Sequence, residues 1–144
     1  STAYKTSART GAAASPTRRG KVSEINLGTL ANPNATDTFI DWDLSRVTAT
    51  GAGADTAWVA TSIDPADGAA QTLTGINATA EATTITANST LKRWGMNQRN
   101  TLRWVAPQES QMLIWPATSG SGVVLRCLSS TYTATASGTI DFQE

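Results

Sequence analysis

Residues 39–44, FIDWDL, place Ile40, Trp42 and Leu44 on one side of an extended chain and Phe39, Asp41 and Asp43 on the other, because successive side chains of a strand point to opposite faces. Short runs with this period of two recur after Gly20, and no long helical pattern interrupts them. In KVSEINLG, Ile25 and Leu27 share a face while Val22 is off phase. Further candidate strands are Arg46 to Thr50, Thr56 to Ile63, Gln71 to Ile76, Thr83 to Ala87, Leu91 to Gly95, Thr101 to Ala106, Gln111 to Trp115, Val123 to Ser129 and Gly138 to Phe142. ANPNATD, TGAGAD, DPADGA and ATSGSG supply the turns between them. Thr (24) and Ala (23) fill a third of the chain, a bias away from the Leu, Glu and Lys of good helices. About ten strands at this spacing predict an all-β fold of two packed antiparallel sheets, a jelly roll or related Greek-key sandwich. An immunoglobulin-like sandwich is the second choice, since Cys127 stands alone and the Cys, Trp, Cys pattern is missing.

At 144 residues the chain is one domain's worth of protein. A domain of this size buries roughly 70% of the surface its unfolded chain exposes, enough for a single core without disulfides or metal. No apolar run approaches the roughly 20 residues that span a bilayer, so no membrane association is expected, and the N-terminus lacks the apolar stretch of a signal peptide.

The formal net charge of zero hides an uneven layout. Residues 1–21 hold Lys5, Arg9, Arg18, Arg19 and Lys21 and no acid. Residues 22–91 hold eight acids (Glu24, Asp37, Asp41, Asp43, Asp55, Asp64, Asp67 and Glu81) against Arg46 alone. From 92 to 126 the sign flips again, with Lys92, Arg93, Arg99, Arg103 and Arg126 against Glu109. The first 20 residues, STAYKTSARTGAAASPTRRG, have too few large apolar side chains to offset the entropy of ordering them. They are expected to form an extended basic arm ahead of a β-sandwich over 21–144, or else a disordered terminus. Fully extended, such an arm spans on the order of 65 Å, past the edge of its own domain to a neighbour. Binding of nucleic acid through it is not expected, because the remainder is acidic and Tyr4 is its lone aromatic.

The absence of His removes Ser-His-Asp and Cys-His nucleophile systems, HExxH zinc sites and the usual neutral-pH proton shuttle. Other motifs read as structural. Asp41 and Asp43 form too small a ligand set for calcium and read as a solvated strand face. GAGAD at 51–55 lacks the third Gly and the following helix of a dinucleotide loop. GSG at 120–122 lacks nucleophile-elbow spacing. The sequons at Asn34, Asn77 and Asn88 are no more than a Thr-rich chain produces by chance. Cys127 alternates with Val123 and Leu125 and reads as a buried thiol. No enzyme activity, cofactor or metal is expected.

Trp42, Trp104 and Trp115 fall within alternating apolar sets and are expected in the core. Trp58 is out of phase with Val59 and Ile63, and Trp94 sits among cations in KRWGMNQR, so one or both are expected to be exposed, as a stacking platform or an interface anchor. QMLIWP presents Met112, Leu113, Ile114 and Trp115 to both faces in succession, so Met112 and Ile114 are candidates for contact with another subunit.

The C-terminal third, WGMNQRNTLRWVAPQESQMLIWPATSGSGVVLRCLSSTYTATASGTIDFQE, resembles the closing segment of small virion proteins of tailed bacteriophages. That segment runs RWVAP, an apolar strand ending in PAT, a Gly-rich turn, a strand, a YT-containing stretch and a terminal strand like GTIDFQE. Among such proteins the chain looks most like the capsid decoration, or cement, proteins with a jelly-roll fold. The resemblance implies a structural protein made in the host cytoplasm and carried on the virion head surface. It would bind the major capsid protein there, and copies of itself as a homodimer or homotrimer, and reinforce the shell. The basic arm pairing with the acidic middle of a sister chain would be one such contact. The alternative is a carbohydrate-binding module or phage receptor-binding tip using Trp58 or Trp94.

Overall fold

The structure is a computed structural model that describes residues 4–11, 17–30, 34–49, 56–76, 84–85, 88–128 and 135–144. Its strands are β1 (Tyr4–Gly11), β2 (Gly20–Thr29), β3 (Phe39–Val47), β4 (Thr56–Trp58), β5 (Leu73–Ile76), β6 (Thr90–Asn97), β7 (Leu102–Val105), β8 (Leu113–Trp115), β9 (Gly122–Leu128) and β10 (Ala136–Gln143). A single 3-10 turn, Glu109–Gln111, is the only helical element among the described residues. The pairings are antiparallel. A six-stranded sheet runs β4-β5-β1-β9-β3-β6, and a smaller sheet runs β10-β2-β7, with β8 joining β2 beside β7. The all-β class and the antiparallel sheets are as the alternation predicts.

The off-phase Val22 has a local cause. Between β10 and β2 the register slips, so that Asp141 pairs with Glu24 but Phe142 with Val22, leaving Ser23 as an extra residue. A bulge of this kind shifts the alternation by one. Val22, Ile25 and Leu27 therefore all enter the core, where Ile40, Trp42 and Leu44 from β3, Met96 from β6, Trp115 from β8 and Val123, Leu125 and Cys127 from β9 meet them. Trp115 packs its ring against Phe142, centroids 5.7 Å apart. A Cβ at Gly20 would fall inside the Trp115 ring, so the first residue of β2 is a glycine by steric necessity. The ATSGSG turn likewise needs its glycine, because Gly120 has a φ of 78°.

The N-terminal segment departs from expectation. Residues 4–11, expected within a free arm, form β1, an interior strand hydrogen-bonded to β9 on one side and β5 on the other. YKTSARTG carries no alternating apolar set; its backbone groups, satisfied on both edges, hold it in the sheet. Two further expectations shift. Arg46 opens no new strand, since β3 runs unbroken to Val47. Of the expected strand Thr83–Ala87 only 84–85 are described, and they are not strand; TGAGAD, at 50–55, lies outside the described residues.

β9 is buried along nearly its whole length on both faces. Its outer face, with Val124, joins Val47 of β3 and Ile85 in a second, smaller cluster.

Candidate interaction surface

The six-stranded sheet ends in two dissimilar edges. At the β4 edge, the cross-strand rows link Val123 of β9 to Thr10, Thr74 and Trp58. Directly paired residues share a face, so Trp58 lies on the face that carries the core. It is nevertheless 59% exposed, because the smaller sheet does not cover this wing. Leu73 belongs to the opposite face, and Val59 follows β4 directly. They are 64% and 85% exposed, and Ile63, in the connection from β4 to β5, is 97% exposed. The wing thus shows large apolar side chains on both faces. The Thr74 hydroxyl donates to the Trp58 carbonyl and ties β4 to β5.

The β6 edge is cationic. Lys92 lies over the Trp104 ring, 5.7 Å from its centroid. Arg93 donates from Nε to both Asp41 carboxylate oxygens at 2.9 and 3.0 Å, and again from its terminal nitrogen; this pairing raises the Arg93 pKa. Phe39 of β3, 62% exposed, lays its ring over Gly95 of β6.

The remaining candidates scatter. Lys5 and Arg9 sit on β1, opposite Cys127 and Val124 of β9 respectively. Arg18 and Arg19 are exposed, and Arg18 lies 3.9 Å from Glu144. Lys21 pairs with Glu109 at 2.6 Å, which lowers the Glu109 pKa. Arg18 and Lys21 thus each have an acidic neighbour within the chain. Trp94 is half-buried against the core, its ring 6.2 Å from that of Trp104, and offers no exposed platform; of the two candidate tryptophans, Trp58 is the exposed one. Met112 and Ile114 are half-buried. β8 is a short strand on β2, with Ile114 opposite Lys21 and its carbonyl accepting from Arg46 at 3.2 Å.

DWD is not a solvated face. Asp43, 1% exposed, accepts from Arg126 Nε at 3.1 Å and from its terminal nitrogen at 2.7 Å. Ser45 and Thr90 hydroxyls donate to the same carboxylate at 2.5 and 2.7 Å. A charge this deeply buried persists because each oxygen is bonded. Each Asp of DWD is held by an arginine across the sheet. Among the described residues, no group of three or more His, Cys, Asp or Glu is placed to hold a metal ion.

On the smaller sheet, Arg103 grips Glu24 through two hydrogen bonds of 2.7 Å. With a further bond from Asn26, this lowers the Glu24 pKa from 4.5 to about 2. Burial, then the Glu24 charge, push Asp141 the other way. A shallow depression of about 470 Å³ beside them is lined by Asn26, Gly28, Thr101, Arg103 and Thr139. Glu144 accepts from the Gln71 and Thr72 backbone N–H groups at 2.9 and 2.5 Å. Burial raises its pKa, but these bonds and Arg18 outweigh burial and the net shift is downward.

The sequence signal for the wing is Trp58 out of phase with its neighbours; the exposure of Leu73 and the edge position of Lys92 follow from strand pairing alone. No helix among the described residues is long and apolar enough to cross a membrane. Comparison of the chain with protein-family models, with curated proteins and with solved structures finds no match.

Proposed function

We propose that this chain is a structural protein of a tailed-phage particle, a decoration protein that binds the outside of the head shell and copies of itself. The jelly-roll connectivity of such proteins belongs to the same proposal. The observation that carries it is the apolar wing. Trp58, Val59 and Leu73 stand exposed at or beside the β4 edge, and Ile63 in the connection that follows it. Large apolar side chains exposed at a sheet edge favour a protein partner, and the likeness of the C-terminal third to decoration proteins supplies the class of partner. Repetition adds strength: a chain that grips several shell subunits gains avidity without a strong single site. The test is co-sedimentation with purified phage heads, followed by electron microscopy of the particle. Added density on the outer surface at regular positions is expected; a chain that stays in the supernatant at every concentration overturns the proposal.

A second reading, glycan binding, keeps one specific support in the exposed ring of Trp58. It predicts that a glycan quenches tryptophan fluorescence and that Trp58→Ala abolishes the quenching. A featureless glycan screen removes it.

A further inference from the structure

We propose that the two outer edges of the six-stranded sheet form one head-to-tail interface, in which β6 of one copy of this chain lies against the β4 wing of the next. The inference deepens the self-association in the reading above and does not depend on shell binding.

Three observations carry it. First, β4 and β6 are the outermost described strands of the six-stranded sheet, the positions from which a sheet is extended by a neighbour. Secondly, the edges differ in sign. Between Val47 and Leu91 the chain contains Asp55, Asp64, Asp67 and Glu81 and no Lys or Arg. Asp64 and Asp67 lie in the exposed connection that leaves β4. β6 carries Lys92, and Arg93 beside it is already matched by Asp41. No ion pair among the described residues uses Asp64, Asp67 or Lys92. Thirdly, both edges expose apolar surface: Trp58, Val59, Ile63 and Leu73 at one, Phe39 over Gly95 at the other.

Charge selects among the possible pairings. Two β4 wings facing each other would oppose aspartates, and two β6 edges would oppose Lys92 to its own copy. Charged edge residues commonly serve to block strand addition; here they block like-with-like and leave the cross pairing favourable. Each copy then offers one edge of each kind, so the contact is heterologous and repeats into a ring or a filament.

The test is sedimentation of the full-length chain without shells. The wild type is expected to form oligomers larger than a dimer. Lys92→Glu and Asp67→Lys are each expected to weaken association by at least about tenfold. An equimolar mixture of the two variants is expected to regain it, because an acidic β6 edge then meets a basic β4 wing and the unaltered edges meet as before. Lys92→Gln, with fold checked by circular dichroism, is expected to weaken association less than Lys92→Glu. Equal losses would assign the effect to packing on Trp104 and overturn the charge argument. A wild-type monomer at all concentrations, a strict dimer insensitive to Lys92→Glu, or a mixture no better than its components overturns the interface. Co-sedimentation with heads separates the two proposals. Shells bound by a chain that stays monomeric sink the edge contact alone, and a head-to-tail oligomer that ignores shells sinks the decoration role alone.

Discussion

Gln98 is polar and fully buried, yet both ends of its amide are satisfied. Its oxygen accepts from the Asn34 backbone N–H at 3.1 Å and the Thr38 hydroxyl at 2.8 Å. Its nitrogen donates to the Asn34 and Thr36 carbonyls at 3.0 and 3.2 Å and to Asp37 at 3.3 Å. One side chain thus holds the approach to β3 against the end of β6. Gln98→Leu keeps the volume but leaves these groups without partners, so a loss of about 3 kcal/mol is expected in urea unfolding. Acid sensitivity also resides in single residues. Arg103 keeps Glu24 ionised down to about 2, against an ordinary 4.5; Arg99 lowers Asp37 and Lys21 lowers Glu109. In that interval the unfolded chain binds more protons than the folded one, so stability falls as pH drops from about 4.5 towards 2. Asp141, with its pKa raised, opposes the trend by taking up its proton more readily in the folded state. Glu24→Gln is expected to flatten the acid limb of thermal unfolding measured against pH.

β1 carries the largest difference between reading and fold at the scale of elements. A segment with no apolar pattern was expected to hang free, whereas its backbone joins β5 to β9. The sequence conceals this because strand pairing is made by N–H and C=O groups common to every residue. Removing residues 1–11 would therefore strip one neighbour from each of β5 and β9 and detach the wing. The expected outcome is loss of a single cooperative unfolding transition; a true arm would leave that transition intact. The bulge at Ser23 is the converse case. Val22 off phase was visible in the sequence, and only the partner strand shows that an extra residue brings it back to the core.

At the scale of the whole molecule, stability and association reside in different places. The core is shared between the sheets, and the wing stands outside it. Ile63, almost wholly exposed, makes little contribution to folding. Ile63→Ser is expected to change unfolding stability by no more than about 0.5 kcal/mol, while sedimentation shows weaker self-association. Alternation was enough to show the strand class and the core positions of Trp42 and Trp115, because it reports which side chains leave water together. The sequence also held the abrupt change of sign at Lys92. Which charges are committed is visible in the folded chain alone: Asp43 meets Arg126 across 83 residues of sequence, a distance that no local pattern spans. The same holds for the edges. Whether Trp58 is covered depends on how far the smaller sheet extends over the larger, and that is set by which strands pair.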